Sequence, residues 1–212
     1  MKIQKIIFDF DGVILNSHNV KTKGFYKLFQ NYGNLIAKRA ESYHLKNVGV
    51  SRFKKFKFIL NNYLNEKITK IKLENLSKKF NKICLKEIYK LKIPYPLKIF
   101  LMKNYKNFDF YISTATPELE IRKIAKRIKI NKYFKKIYGS PRTKVSHIIN
   151  IKKNKKKTIF IGDSYEDYKS SKKTNTKFIL KLHRENKKIY FPKNVVKIKN
   201  FINLISKINS LD

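Results

Sequence analysis

The stretch IIFDFDGVILNS, residues 6–17, is the strongest structural signal in this sequence. A β-branched and aromatic run leads into Asp9 and Asp11 and then turns at Gly12, which predicts a buried strand over residues 3–10. Side chains alternate across a strand, so Asp9 and Asp11 point to the same face at its end. Two like charges at the end of a buried strand repel each other, so some other group must offset the repulsion.

The composition predicts one main domain with a smaller insert, since the chain has 212 residues of which 42% are hydrophobic. No run of 18 apolar residues is present, and Asp9 and Asp11 interrupt the apolar N-terminal run where a signal peptide needs its hydrophobic centre. We therefore expect a cytoplasmic protein without membrane association. Cys84 is the only cysteine, which excludes an internal disulfide and a thiolate metal cage and favours buried packing.

The formal net charge of +37 is typical of proteins that bind nucleic acids or membranes. However, 45 of the 51 basic residues are lysines, and Lys, Ile, Asn, Phe and Tyr together make 124 of the 212 residues. These amino acids have AT-rich codons, so a bias in the base composition of the genome explains the lysines about as well as a polyanionic partner would. The lysines are also spread along the chain. We therefore expect no specific nucleic-acid partner and only weak, salt-sensitive adhesion to polyanions.

The pattern of the chain predicts an α/β fold with a helical insert. Between residues 18 and 93 apolar side chains recur at helical spacing, as at Phe25, Leu28 and Phe29. Beyond residue 94, strand-like runs alternate with helices of about ten residues, which favours a parallel sheet covered on both faces. The strand-like runs are FDFYIST, KIYGS, TIFIGD and KFILKL. We predict a Rossmann-like core of residues 1–17 and 94–212 with an inserted α-helical domain of residues 18–93.

Polar residues follow these strands at the edge where the chemistry of parallel sheets collects. Besides Asp9 and Asp11, they are Ser113, Thr114, Lys144, Asp163 and Asp167. Four carboxylates cannot share one pocket unless cations accompany them. Lys144 supplies one positive charge, and Mg²⁺, which takes few protein carboxylates and keeps several waters, would supply the rest.

Four parts of this sequence resemble, in order and position, the four motifs of the haloacid dehalogenase (HAD) superfamily. They are DFDGV, Thr114, Lys144 and GDSYED. The helical insert resembles the cap of its phosphoglycolate-phosphatase-like group. The resemblance implies a phosphatase in which Asp9 forms an aspartyl-phosphate. It also implies that Asp11 acts as general acid and base.

The resemblance assigns supporting roles to the remaining residues. Mg²⁺ would be held by Asp9, the Asp11 carbonyl and Asp163, with Asp167 beside it orienting Lys144 or a metal-bound water. Thr114 and Lys144 would hold the phosphate oxygens, and Ser113 or Thr116 could replace Thr114. Gly12 would allow a close backbone approach to the substrate.

The aspartate at position 11 separates reaction types within the superfamily. The dehalogenases and phosphonatases of this group lack an aspartate there, so Asp11 favours phosphate ester chemistry. A sugar phosphomutase keeps both aspartates and stays an alternative. An alternative of another class is a basic nucleic-acid-associated protein that acts on polynucleotide phosphate ends.

The position of the insert bears on the substrate. Thr114 and Lys144 are only 30 residues apart, so the cap must be the helical stretch before residue 94. A helical lid favours a small phosphorylated metabolite over a polymer. The turn in GVSRF could place Arg52 over the pocket to bind a second acidic group, although Arg52 could equally be an ordinary surface residue. We expect a monomer or a homodimer.

Overall fold

The computed structural model describes residues 3–153, 157–187 and 189–211. The chain forms two compact units. We call Met1–Asn16 with Lys92–Asp212 the core unit and Ser17–Leu91 the helical unit. No helix among the described residues has the length and apolar character needed to cross a membrane.

A six-stranded parallel sheet organises the core unit. The strands are β1 (Lys5–Phe8), β2 (Asp109–Pro117), β3 (Lys136–Ser140), β4 (Thr158–Gly162), β5 (Lys177–Lys181) and β6 (Val196–Ile198). They lie in the order β3-β2-β1-β4-β5-β6. All four residues of the central strand β1 are buried, which accounts for the unbroken apolar run before Asp9. The predicted α/β, Rossmann-like sheet is confirmed, with β6 as an additional strand.

Helices make up the helical unit, as the sequence pattern predicts. They are α1 (His18–Phe29), α2 (Asn34–Lys46), α3 (Arg52–Tyr63) and α4 (Lys70–Lys90). Aromatic rings fill the space between them: the ring centroids of Phe25 and Phe80 lie 4.9 Å apart, and those of Phe25 and Phe56 lie 5.6 Å apart. Gly24 lets α1 and α4 approach closely, because a side chain there would collide with the buried Cys84.

Further helices belong to the core unit. They are α5 (Tyr95–Asn104), α6 (Glu118–Arg127), α7 (Lys144–Lys152), α8 (Tyr165–Lys173) and α9 (Leu204–Asn209). α7 begins at a cap in which the Thr143 hydroxyl accepts a hydrogen bond from the Ser146 amide at 3.2 Å. α7 and α8 pack against each other, and each begins shortly after a strand of the sheet. Their first turns therefore lie near the carboxyl edge of the sheet, where Asp9 and Asp11 follow β1.

Candidate active site

Asp9 and Asp11 follow the carboxyl end of β1. Asp9 is only 3% exposed, and its Oδ1 accepts a hydrogen bond from the Phe10 amide at 2.7 Å. Asp11 is partly exposed, and its Oδ2 accepts a hydrogen bond from the Thr116 hydroxyl at 3.3 Å. Gly12 has a φ of +78°, a left-handed conformation that costs other residues about 1 kcal/mol or more. The turn thus holds one aspartate in the interior and leaves the other within reach of solvent.

Lys144, the first residue of α7, lies between two buried carboxylates. Its Nζ is 3.0 Å from Asp9 Oδ2 and 2.5 Å from Asp167 Oδ1. None of the three side chains is more than 6% exposed. The ammonium group at the start of α7 therefore contacts a carboxylate at the end of β1 and another at the start of α8.

Asp167 is fixed by the N-terminus of its own helix. Ser164 caps α8, and Asp167 Oδ2 accepts hydrogen bonds from the Ser164 hydroxyl at 2.6 Å and the Ser164 amide at 3.0 Å. A side chain at Gly162 would collide with Asp167, so the glycine makes room for this arrangement. Asp167 therefore presents Oδ1 to Lys144 in a fixed orientation.

Asp163 follows β4 and contacts a turn that the sequence did not reveal as functional. His183 Nε2 lies 2.7 Å from Asp163 Oδ2, and the Asn186 side chain donates a hydrogen bond to the Asp163 carbonyl at 2.8 Å. His183 and Asn186 follow β5, the neighbour of β4, so only the sheet order brings them to Asp163. The sequence offered one signal for their role, namely that these polar residues follow a predicted strand. That signal is weak by itself.

The end of β2 supplies hydroxyl groups on two faces. Thr114 is buried, and its Oγ1 accepts a hydrogen bond from the Thr116 amide at 3.2 Å. Ser113 Oγ instead lies 2.9 Å from Nδ1 of the buried His147 on α7. Adjacent strand residues face opposite sides, so the two hydroxyls have different surroundings, and phosphate binding by Thr114 or Ser113 stays a prediction.

The charges of the site shift the pKa values of its members. Burial raises the pKa of Asp9 well above its ordinary value, and the charge of Asp167 raises it further, while Lys144 acts in the opposite direction. Burial alone would lower the pKa of Lys144, but the charges of Asp167 and Asp9 outweigh it and raise that pKa. Lys144 is therefore held as an ammonium ion, and an ionised Asp9 requires still more positive charge nearby.

The donor set of the site suits a divalent metal ion. One oxygen each from Asp9, Asp163 and Asp167 lies within 4.8 Å of the others. Hard carboxylate oxygens are the ligands that Mg²⁺ prefers, and one ammonium does not balance three carboxylates. All three are candidates for direct ligands: the oxygens of Asp167 also accept hydrogen bonds from Lys144 and Ser164, and those of Asp9 also meet the Phe10 amide and Lys144.

The structure therefore brings together most of the residues that the sequence singled out. Arg52 belongs to the helical unit, where it is the first residue of α3 and is 6% exposed. Its guanidinium carbon lies 4.7 Å from the centroid of the Phe80 ring. A contact between Arg52 and substrate stays a prediction.

The chain resembles several solved structures over nearly its whole length. One is a predicted phosphoglycolate phosphatase from Haemophilus somnus, with a TM-score of 0.76, 13% identity and 98% of each chain covered. Another is YfnB from Bacillus subtilis, assigned as a HAD hydrolase and bound to magnesium, with a TM-score of 0.68, 16% identity and coverage of 99% of this chain and 100% of that one. A third, from Thermotoga maritima, is assigned as a β-phosphoglucomutase, with a TM-score of 0.65, 16% identity and the same coverage. At these identities the likeness establishes the fold.

Comparison at the level of sequence gives a family. No curated protein matches the chain significantly. The family model of haloacid dehalogenase-like hydrolases matches residues 6–181, which include every strand end described above except that of β6. The chain belongs to the haloacid dehalogenase-like hydrolase family.

Proposed function

We propose that this protein is a Mg²⁺-dependent phosphatase that hydrolyses a small phosphorylated metabolite through an aspartyl-phosphate on Asp9. The observation that carries the proposal is the buried group of Asp9, Lys144 and Asp167, with Asp163 close enough to share a cation. The family membership supports the reaction class.

The reaction has two displacements at phosphorus. In the first, a carboxylate oxygen of Asp9 forms a bond to phosphorus while the ester P–O bond breaks, and Asp11 gives its proton to the leaving oxygen. In the second, Asp11 takes a proton from a water that attacks phosphorus, and the Asp9–phosphorus bond breaks to release inorganic phosphate. Asp11 suits both roles because it is partly exposed and is held by the Thr116 hydroxyl.

The positive groups of the site stabilise the charge of the transferring phosphoryl group. Lys144 is fixed by two carboxylates, so its ammonium needs no reorganisation when the phosphoryl oxygens arrive. The Thr114 hydroxyl would donate a hydrogen bond to one of those oxygens. Mg²⁺, held by Asp9, the Asp11 carbonyl and Asp163, would shield Asp9 from the charge of the phosphate when bound.

We further propose that the helical unit serves as a cap that favours small substrates, as the position of the insert indicates. Arg52 is our candidate for binding a second acidic group of the substrate, since a guanidinium pairs with carboxylate or phosphate in a bidentate fashion. Support for this role is its place at the start of α3, next to the turn at Gly49, whose φ is +83°.

The test of the proposed function is phosphate release from an aryl phosphate. We expect turnover that requires Mg²⁺ and stops in excess chelator. Asp9→Asn should abolish it, because the amide cannot form the covalent intermediate. Asp109→Asn is a matched control, since Asp109 begins β2 at the opposite edge of the sheet. Full activity of Asp9→Asn, or of the wild type in chelator, would falsify the mechanism.

A sugar phosphomutase is the second candidate, because both aspartates are present and one solved structure of the same fold is assigned as a β-phosphoglucomutase. A mutase and a phosphatase share the first displacement and differ in what accepts the phosphoryl group. Phosphorus NMR of reactions with sugar phosphates separates them. Isomerised sugar phosphate without accumulation of inorganic phosphate would favour the mutase.

A further inference from the structure

The segment after β5 forms a turn, residues 183–186, that contacts Asp163 at two points. His183 Nε2 lies 2.7 Å from the Oδ2 atom of Asp163. Asn186 donates from its side-chain amide to the Asp163 carbonyl and to the Lys181 carbonyl, both at 2.8 Å. The carboxylate and the backbone of one residue are thus both fixed by the same turn.

The turn is itself held in place. The Asn186 side-chain oxygen accepts a hydrogen bond from the His183 amide at 2.9 Å, and Asn186 is only 2% exposed. The other ring nitrogen of His183, Nδ1, lies 2.8 Å from Glu185 Oε2. The imidazole therefore meets a carboxylate oxygen at each of its two nitrogens, and its ring orientation is fixed from both sides.

The contact uses one oxygen of Asp163 and leaves the other, Oδ1, outside this hydrogen bond. A carboxylate that ligates a hard cation must keep one oxygen aimed at the metal, and a hydrogen bond to the second oxygen restricts rotation of the group. Asp163 is 1% exposed and lies in the bend between β4 and α8, where its amide donates a hydrogen bond to Asp167 Oδ2 at 3.3 Å. The contact with His183, which follows the neighbouring strand, acts on the carboxylate itself.

We propose that His183 is a positioning residue that holds Asp163 in the orientation for binding the metal ion, and that Glu185 in turn orients His183. This inference rests on the cation site of the proposed function. It assigns a role to residues that lie outside the four motifs and that follow a strand not used by any of them. We call this series of contacts, from Glu185 to His183 to Asp163 to the cation, the relay.

Metal affinity, measured directly, tests the relay. Isothermal titration of the protein with Mg²⁺ alone gives a dissociation constant that does not depend on turnover. We expect His183→Ala to weaken Mg²⁺ binding about 10- to 100-fold, the usual effect of removing a partner of a metal ligand. His183→Gln should restore most of the affinity, because the glutamine amide can donate from a position near that of Nε2. Arg184→Ala, an exposed residue of the same turn, is the matched control.

A second variant keeps the test decisive if His183→Ala does not fold. Glu185→Ala removes a side chain that is 27% exposed, and we expect it to weaken Mg²⁺ binding about 3- to 10-fold. At saturating Mg²⁺, His183→Ala and Glu185→Ala should each reach nearly wild-type kcat. The Mg²⁺ concentration that gives half-maximal activity should rise in each. Wild-type Mg²⁺ affinity in His183→Ala, or in Glu185→Ala where only that variant folds, would overturn the inference, as would equal losses in His183→Gln and His183→Ala.

The outcome for His183 is distinguishable from failure of the proposed function. A wild-type protein that binds Mg²⁺ but releases no phosphate from any ester would contradict the phosphatase proposal and leave the relay to be decided by titration. An active, Mg²⁺-dependent wild type whose His183 variants bind the ion normally would contradict the relay alone.

Discussion

Replacing Lys144 by methionine is the perturbation whose consequence follows most directly from the structure. Methionine is close to lysine in length and keeps the packing of the side-chain stem, so the change removes mainly the charge. Two carboxylates, those of Asp9 and Asp167, then face each other without the ammonium that lies 3.0 Å and 2.5 Å from them. Removing one partner of a buried ion pair costs about 3–5 kcal/mol. That cost is a large part of the 5–15 kcal/mol by which a typical domain is stable.

The pH dependence of this loss has a definite sign. Lys144 is the group that lowers the pKa of Asp9, whose pKa is already raised by burial, so in the variant the pKa of Asp9 rises further. A carboxyl group whose folded pKa lies above its unfolded value destabilises the fold above that pKa, and the penalty fades as the pH falls through it. The destabilisation by Lys144→Met should therefore be largest at pH 7.5 and smaller at pH 5.5.

Urea unfolding in the presence of chelator, followed by circular dichroism at both pH values, measures the effect. Lys123→Met is a suitable control, because Lys123 is exposed on α6 and a surface substitution changes the free energy of unfolding by about 0.5 kcal/mol or less. A loss below about 1 kcal/mol at pH 7.5, or a loss that grows toward pH 5.5, would contradict the described role of Lys144.

Further predictions concern a buried histidine, the net charge and the helical unit. Burial lowers the pKa of His147 from 6.5 to about 4, so stability should fall by up to roughly 3 kcal/mol as the pH drops from 6.5 to 4, and urea titrations of His147→Asn should lack this component. If base composition explains the net charge of +37, binding to short duplex DNA should be weak, salt-sensitive and independent of sequence; a dissociation constant below about 10 nM at physiological salt would refute this. Arg52→Ala should lower kcat/KM by about 10- to 100-fold for a substrate with a second acidic group and hardly change it for an aryl phosphate, whereas equal losses would assign Arg52 to the fold or the catalytic phosphate.

The parts of the fold that sequence predicts well are those encoded within a few residues. The central strand is readable because β1 is buried on both faces and its apolar run is therefore continuous. Asp163 and Asp167 are four residues apart at a strand-to-helix junction, so their proximity is also determined locally. The start of α8 is likewise set locally, through the cap formed by Ser164.

The parts that sequence did not reveal depend on pairing between distant segments. His183 contacts Asp163 only because β5 lies beside β4, and Ser113 contacts His147 only because α7 packs next to β2. Lys144 is intermediate: composition could not separate it from 44 other lysines, and its selection came from the resemblance to a family motif. The contact between Asp11 and Thr116 likewise required the register of β1 and β2.

The charge distribution of the chain links its composition to the proposed chemistry. Four of the 14 acidic residues, Asp9, Asp11, Asp163 and Asp167, belong to the carboxyl ends of β1 and β4 or the helix start that follows, while the chain as a whole carries +37. A strongly positive protein attracts anionic phosphate esters from solution at low ionic strength, whatever the origin of its lysines. The local excess of carboxylates has the opposite effect and would attract the divalent cation of the proposed function. Burial is the main cause that raises the pKa of Asp9, and the charge of Asp167 adds to it while Lys144 acts against it. In the proposed function, a divalent cation beside Asp9 would offset this effect and keep Asp9 ionised and nucleophilic.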